Sequence, residues 1–113
     1  MNQITIIGNL VRDPDLRTTV NGISVCNFVL AVNRRRRDDP TKDSADYFYC
    51  TAWRSTAENC AKYLRKGSKA AVSGPVSCDR FIGNDGQKYA NLHVEAEMVE
   101  FLSPSTNQEQ HQD

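Results

Sequence analysis

The sequence has no long apolar stretch and no recognisable targeting segment. Its longest apolar run, residues 28–32, has five residues, whereas a membrane-spanning helix needs roughly 18 or more. The first ten residues lack the basic start of an export signal and are interrupted by Gly8 and Asn9. These absences predict a cytoplasmic protein with no membrane partner.

The chain also lacks a net charge. Lysine and arginine number 14, aspartate and glutamate number 14, and the formal charge is zero. Taken for the whole chain, this neutrality counts against a nucleic-acid binder, since such domains are usually basic. At 113 residues the chain has room for one domain, which excludes large multi-domain enzymes.

Paired cysteine spacing of the kind found in zinc sites is absent as well. Cys26, Cys50, Cys60 and Cys78 are spread singly along the chain, whereas zinc ligands usually come in close pairs. We therefore expect no metal and no cofactor, and four reduced thiols that behave as small hydrophobic side chains.

Motifs for catalysis are missing too. The sequence has no G-x-S-x-G, no phosphate-binding loop and no H-E-x-x-H, and its only histidines are His93 and His111. We expect no catalytic residue. A small thiol enzyme, with a pair such as Cys50 and His93, is the contrary hypothesis, and slow, uniform alkylation of all four cysteines would exclude it.

What the sequence does contain is mainly β pattern. Asn21-Gly22 and Asn84-Asp85-Gly86 predict hairpin turns, and Gly74-Pro75 predicts a bend. The segment 34–46 has no apolar periodicity and contains Pro40, so it predicts a long exposed loop. The predicted strands cover residues 4–11, 16–20, 23–33, 46–53, 69–76 with 76–82 across the bend, and 89–102.

One helix is predicted, over residues 55–65. Ser55 and Glu58 have the spacing of a capping box, and Gly67 suits the C-terminal cap. The resulting order of elements is that of an OB-fold, an all-β barrel of five strands with one short helix between strands 3 and 4. We assign residues 1–102 to this domain and residues 103–113 to a short, polar, disordered tail.

The predicted strand 46–53 has two chemically different faces. Phe48, Cys50 and Ala52 alternate with a second set that contains Tyr47, Tyr49, Thr51 and Trp53. A strand needs only one face toward the core, and the first set fits that place. The second set therefore predicts three large rings on an accessible surface.

The charges of the chain are unevenly distributed. Residues 1–37 hold six basic and two acidic residues, and residues 47–88 hold seven basic and three acidic residues, so each segment carries +4. The opposite charges gather in residues 38–46 and 89–113. Four consecutive arginines, Arg34, Arg35, Arg36 and Arg37, precede the predicted loop, and such self-repulsion is best tolerated beside an anionic partner.

Exposed rings beside arginines are typical of surfaces that bind single-stranded nucleic acid. Bases stack on the rings, basic side chains follow the phosphates, and stacking tolerates every base. The leading hypothesis is therefore a sequence-independent single-strand binding module. The alternative is a protein-interaction adaptor on an OB-fold, of a primosome type or an accessory replication subunit, which would bind DNA weakly and a protein partner stably.

Several segments resemble the bacterial single-stranded DNA-binding proteins. They are Ile6-Ile7-Gly8-Asn9-Leu10, Arg12-Asp13-Pro14-Asp15-Leu16-Arg17, Asn27-Phe28-Val29-Leu30-Ala31-Val32, Tyr63-Leu64-Arg65-Lys66-Gly67-Ser68 and Val72-Ser73-Gly74. The resemblance covers about residues 1–102 and follows the family's order. It implies an OB-fold that protects single-stranded DNA in replication, recombination and repair, in the nucleoid, as a homotetramer with a dimer as the alternative.

The resemblance also implies which residues contact DNA. The stacking positions of the family fall on Tyr47, Trp53 and Phe81, and a further one, often tryptophan, falls on Arg36, whose guanidinium can itself stack. Ser77 and Asp79 replace residues that are often basic in the family. The resemblance also places basic family positions on Arg17, Lys66 and Arg80. Together with the residues derived from alternation and charge, the predicted DNA contacts are Arg17, Arg34, Arg35, Arg36, Arg37, Tyr47, Tyr49, Trp53, Arg54, Lys66, Arg80 and Phe81.

The end of the sequence departs from the family. Family members usually carry a long linker and an acidic tip that recruits repair and replication enzymes, whereas this sequence ends in Gln110-His111-Gln112-Asp113. We therefore expect no recruitment of repair enzymes through the tail.

Overall fold

The structure is a computed structural model that describes residues 1–35 and 43–103. Within these residues the chain forms eight strands and one α-helix. They are β1 (Ile4–Leu10), β2 (Asp15–Thr18), β3 (Ser24–Arg35), β4 (Asp43–Trp53), α1 (Arg54–Tyr63), β5 (Lys69–Gly74), β6 (Val76–Ile82), β7 (Lys88–Glu95) and β8 (Met98–Phe101).

All the strands belong to one sheet in the order β6-β7-β4-β3-β1-β5-β8, with β2 paired to β3 outside this path. The helix lies between the third long strand, β4, and β5, as expected for an OB-fold. The strand count differs from the predicted five because β2 is a separate strand, the bend at Pro75 divides β5 from β6, and the last predicted strand breaks at Ala96 and Glu97. The all-β OB-fold prediction is confirmed.

The long loop predicted over residues 34–46 is wrong at both of its ends, which are strand. β3 and β4 stay paired as far as Arg34 with Ser44 and Arg35 with Asp43. Backbone hydrogen bonds form such a ladder whatever side chains the strands carry. The loop is predicted from the absence of apolar periodicity, and this absence does not prevent backbone pairing. Residues 36–42 lie outside the described part of the chain.

Helix α1 ends close to its predicted position but begins differently. Its N-cap is Trp53, and no side chain among the described residues caps it, so the capping box of Ser55 and Glu58 is wrong. The Glu58 carboxylate instead accepts a hydrogen bond of 2.9 Å from the Ser24 hydroxyl, which fixes the helix to β3. The C-cap is Leu64, so the predicted cap at Gly67 is wrong too, although Gly67 does turn the chain with φ +89°.

The core lies between the sheet and helix α1. The alternation predicted for β4 is confirmed, because Phe48, Cys50 and Ala52 are all buried, beside Phe28 and Leu30 of β3. The helix contributes Ala57, Cys60 and Leu64, which lie on one face at the helical period. One side of β4 therefore packs into the core, and the side chains on its other side point away from the core.

The bend between β5 and β6 lies against the break between β7 and β8, beside Gly74. The Glu97 N–H donates to the Ser73 carbonyl at 3.0 Å, and the Glu95 N–H donates to the Pro75 carbonyl at 3.0 Å. A Cβ on Gly74 would lie 1.8 Å from the Glu95 carbonyl oxygen. Only glycine lets these backbones approach so closely.

Three of the four cysteines behave as the sequence predicts. Cys26, Cys50 and Cys60 are buried in the core, and Cys78 is exposed on β6. Burial raises the pKa of Cys26 to about 11, with a smaller contribution from Asp15. Burial also raises the pKa of Cys50 and of Cys60 to about 12. The expectation that all four thiols behave as small hydrophobic side chains is wrong for Cys78, which is exposed because β6 leaves the core beyond Val76.

Among the described residues, no helix combines the length and the apolar character that crossing a bilayer requires. The predicted tail begins at Ser103, the last described residue, so its disorder and its lack of recruiting function stay predictions.

The Gly74→Ala variant tests this close backbone approach. We expect it to lose about 3 kcal/mol of unfolding free energy, because a Cβ would overlap the backbone of Glu95. Urea denaturation measures the loss. Gly22→Ala is the control, since Gly22 also has a positive φ but no atom within 4 Å of its added Cβ, and it should lose only about 1 kcal/mol. Equal losses would contradict the role given to Gly74.

Thiol titration with Ellman's reagent at pH 8 tests the cysteine environments. The folded protein should react rapidly at one thiol, Cys78, and slowly at the three buried thiols, whose pKa is raised by burial. In denaturant all four should react rapidly. Fast reaction of two or more thiols in the folded protein would contradict the burial described above.

Candidate nucleic-acid interface

The register of the strands places the outward side chains of five strands on one continuous surface. On β4 this surface carries Tyr47, Tyr49, Thr51 and Trp53, opposite in side-chain direction to the core residues. Because paired residues point to the same side of a sheet, the neighbouring strands add their own residues. We call this surface the outer face; it also includes Asp15 and Arg17 of β2, Val25, Asn27, Val29 and Ala31 of β3, Tyr89, Asn91, His93 and Glu95 of β7, and Ser77, Asp79 and Phe81 of β6.

Five aromatic rings of the outer face are accessible. Tyr47 is 53% exposed, Tyr49 41%, Trp53 45% and Phe81 47%. Tyr89, which the sequence analysis did not single out, is 43% exposed. The prediction of an aromatic, accessible side of β4 is confirmed. Such rings gain little from the core and offer flat surfaces to a ligand.

A row of polar side chains crosses the outer face between the rings. The Thr51 hydroxyl donates to Asn27 Oδ1 at 2.8 Å and lies 3.1 Å from His93 Nε2. With the Thr51 proton directed to Asn27, the hydroxyl oxygen is free to accept a hydrogen bond from His93 in the tautomer that carries its proton on Nε2. This bonding explains why Thr51 is buried although it belongs to the outer face.

Glu95 ends this row and fixes the tryptophan. The Trp53 indole Nε1–H donates to Glu95 Oε2 at 3.1 Å, and Glu95 Oε1 lies 3.6 Å from His93 Nε2. An exposed indole held by its edge keeps its flat face in one orientation. The same carboxylate places a negative charge on the outer face beside the ring.

Some predicted basic residues lie on or beside this face. Arg17 lies on it through its pairing with Val25, and its Nε is 2.9 Å from the carboxylate of Asp15. Arg54 directly follows Trp53 and has φ +60°, a left-handed conformation that non-glycine residues adopt at a cost of about 1–2 kcal/mol. Such strain is concentrated at functional positions, which agrees with a role for Arg54 at this edge.

Other predicted basic residues lie elsewhere. Arg80 points away from Phe81, to the other side of the β6–β7 hairpin, because neighbouring residues of a strand alternate. Arg34 likewise points to the side opposite Tyr47 and lies 3.8 Å from the Asp46 carboxylate. Lys66 follows helix α1, where its N–H donates to Asp13 at 2.8 Å. Arg35 is placed by its backbone, and Arg36 and Arg37 lie outside the described residues.

Sequence reasoning missed the contribution of β7. Tyr89, Asn91, His93 and Glu95 alternate along one strand, and this period of two is visible in the sequence. Their place beside Tyr49 and Thr51 depends on the parallel pairing of β7 with β4. That pairing joins residues more than 40 positions apart in the sequence, so no local sequence pattern predicts it.

A catalytic pair of Cys50 and His93 is excluded by geometry. Cys50 belongs to the core side of β4 and His93 to the outer face, so their side chains point to opposite sides of the sheet. Burial also raises the pKa of Cys50 to about 12, which disfavours the reactive thiolate. Within residues 1–35 and 43–103, no three histidine, cysteine or acidic side chains group as metal ligands.

An OB-fold whose outer face carries solvent-exposed rings is a class of nucleic-acid-binding architecture. The sequence profile described as the single-strand binding protein family matches residues 1–102. The chain is 43% identical over 110 residues to a single-stranded DNA-binding protein of Halalkalibacterium halodurans, an alignment that covers 97% of this chain and 66% of that protein. The chain belongs to the single-strand binding protein family.

Other relatives agree with this assignment. The chain is 44% identical over 104 residues to a single-stranded DNA-binding protein of Bacillus cereus, covering 92% of this chain and 61% of that protein. It is 40% identical over 104 residues to single-stranded DNA-binding protein A of Bacillus subtilis, covering 92% of this chain and 60% of that protein. The chain thus spans somewhat under two thirds of the length of these relatives.

Proposed function

We propose that this chain binds single-stranded DNA without base preference and protects it during replication, recombination and repair. The observation that carries the proposal is the row of exposed rings on β4, where Tyr47, Tyr49 and Trp53 are 41–53% accessible on one face. Each base that stacks on such a ring gains about 1–3 kcal/mol. The role is binding rather than catalysis, as in the family to which the chain belongs.

The predicted contacts divide into two groups. Tyr47, Tyr49, Trp53 and Phe81 supply stacking surfaces on the outer face. The basic residues supply phosphate contacts: Arg17 and Arg54 at the Trp53 end, Lys66 beyond helix α1, Arg80 behind the hairpin, and Arg34 with Arg35 at the far end of β3. Arg36 and Arg37 follow them in the sequence, outside the described residues. A DNA strand that wraps around the edges of the sheet would reach basic residues on both sides of the sheet.

The charge of the outer face limits how much phosphate contacts contribute. Asp15, Asp79 and Glu95 all lie on this face, and Asp15 already pairs with Arg17. We therefore infer a binding energy that depends on stacking as well as on counterion release, with a moderate decrease in affinity as salt rises.

We also propose that the chain assembles as a homotetramer, with a dimer as the smaller alternative. Apolar side chains exposed on strands that are not part of the outer face support assembly, among them Ile7 of β1, which is 51% exposed, and Met98 of β8, which is 62% exposed. Exposed strand edges are often covered by partners. Light scattering at several protein concentrations gives the mass directly.

The Trp53→Ala variant tests the proposed stacking. We expect it to bind a fluorescein-labelled oligothymidylate about 1–3 kcal/mol more weakly than the parent chain, with little change in stability, because the indole is nearly half exposed. Fluorescence anisotropy at two salt concentrations measures the affinity. In the parent chain, the same oligonucleotide should quench the fluorescence of Trp53, the only tryptophan.

Tyr63→Ala is the matched control for this experiment. Tyr63 is 47% exposed, like Trp53, but belongs to helix α1 and packs against Phe101, so its removal should leave the affinity unchanged. If the parent chain shows no anisotropy change at low salt, the proposed function is wrong. Stable binding to a protein partner together with that result would favour the adaptor hypothesis.

The Glu95→Gln variant tests the charge of the outer face. A glutamine keeps an oxygen that accepts from the Trp53 indole but removes a negative charge beside the bound strand. We expect about 2- to 5-fold tighter binding of oligothymidylate at low salt and a smaller difference at high salt, where charges are screened. Unchanged or weaker binding at low salt would place Glu95 away from the DNA.

A further inference from the structure

Tyr89 forms a closely packed pair with Phe81 on the β6–β7 hairpin. The two residues are partners in the antiparallel register, and their ring centroids lie 5.5 Å apart with planes inclined by 22°. Although stacked on each other, Tyr89 and Phe81 stay 43% and 47% exposed. Each ring therefore keeps one flat side open to solvent.

The hydroxyl of Tyr89 is held by the turn that closes the hairpin. It donates to Asp85 Oδ2, and the other oxygen of the same carboxylate accepts from the Gln87 N–H at 3.0 Å. The hydrogen bond from Tyr89 is also the main cause that lowers the pKa of Asp85, so the acceptor stays ionised. The Asp85 carboxylate thus links the hydroxyl of Tyr89 to the backbone of the turn in which Asp85 lies.

Gly83 fixes the ring from a third direction. A Cβ at this position would lie 2.5 Å from Tyr89 Cε2, so the ring lies directly against glycine backbone. An exposed tyrosine ordinarily samples several rotamers, and ordering it costs a ligand free energy. The rotamer freedom of Tyr89 is restricted before a ligand binds, because the ring is in contact with the Phe81 ring, the Asp85 carboxylate and the Gly83 backbone.

The surroundings of the pair are suited to an anionic, planar ligand. A groove of about 540 Å³ runs along the hairpin, lined by both rings and, from the opposite side of the two strands, by Arg80 and Lys88. The rings also belong to the outer face that carries Tyr49 and Trp53, through the pairing of β6, β7 and β4. Two flat rings on the same surface as other rings, with basic side chains lining the same groove from the other side of the hairpin, have the composition of a nucleotide stacking site.

We propose that Tyr89 is a nucleobase-stacking residue, that Phe81 and Tyr89 together form a two-ring platform for single-stranded DNA, and that Asp85 is its positioning residue. The proposal rests on the proposed function and extends it to Tyr89 and Asp85, which neither the alternation of β4 nor the family resemblance indicated. A DNA strand bound along the outer face would continue from Trp53 past Tyr49 to the tip of the β6–β7 hairpin.

The Tyr89→Ala variant tests the platform directly. We expect its affinity for a labelled oligothymidylate long enough to span the outer face to fall roughly 5- to 100-fold, the range of one lost stacking contact. Tyr63→Ala is again the matched control, because Tyr63 has similar exposure and also packs against a phenylalanine, on helix α1. Circular dichroism checks that both variants stay folded.

The Asp85→Ala variant separates positioning from charge. Loss of an acidic residue near a DNA strand should by itself strengthen binding, whereas loss of the tether to Tyr89 should weaken it. We expect several-fold weaker binding, and no further loss when Asp85→Ala is combined with Tyr89→Phe, since both changes break the same hydrogen bond. Stronger binding by Asp85→Ala, or fully additive losses, would overturn the positioning role.

Photocrosslinking supplies a readout that does not depend on variant affinity. An oligonucleotide of 5-iodouracil, irradiated with the parent chain, should crosslink to Tyr89, and mass spectrometry of the peptides should identify the modified residue. Crosslinks at Trp53 or Tyr47 together with none at Tyr89, and an unchanged affinity of Tyr89→Ala, would overturn this inference and leave the proposed function standing. Failure of the parent chain to bind would overturn both.

Discussion

Strands β3 and β4 pair over eleven residues of each strand, from Val25 with Trp53 to Arg35 with Asp43, and this register decides what the sheet presents to solvent. A slip by one residue would exchange the two sides of β4. Phe48, Cys50 and Ala52 would then face solvent, and three large rings would enter a core that has no space for them. The packing of small residues beneath helix α1 is therefore what keeps the rings outside.

The outer face combines rings with hydrogen-bonded polar groups instead of with a uniform positive surface. Thr51 hydrogen-bonds Asn27 and lies 3.1 Å from His93, and Glu95 fixes the edge of the indole. Such a network holds the rings in place before a ligand arrives. The zero net charge of the chain is consistent with this design, because ordered stacking surfaces need fewer phosphate contacts for a given affinity.

Much of this arrangement could be predicted from the sequence, because it depends on local periodicity. The two sides of β4, the core side of β3, the turn at Gly22 and the bend at Pro75 all follow from alternation and turn residues. The family resemblance agrees with the OB-fold and with the match over residues 1–102. The DNA contacts named from the sequence stay predictions.

Two kinds of feature could not be predicted from the sequence. Some depend on pairing between residues that are distant in the sequence, and others depend on which of two possible partners a side chain binds. The pairing of β7 with β4 brings His93 and Glu95 to the rings, and no local pattern encodes it. Glu58 has capping-box spacing, but Ser24 offers it a partner on another strand. The paired ends of β3 and β4 contain arginine, serine and aspartate, so an argument from apolar periodicity assigns them to a loop.

The exposed thiol of Cys78 gives the molecule a natural attachment point for a reporter. It lies on β6 on the side of the hairpin opposite Phe81, since the two residues are three positions apart in a strand, whereas Cys26, Cys50 and Cys60 are buried in the core. A maleimide dye would attach behind the two-ring platform without covering it. The unaltered chain thus carries a site-specific label position next to the surface whose occupancy one would wish to follow.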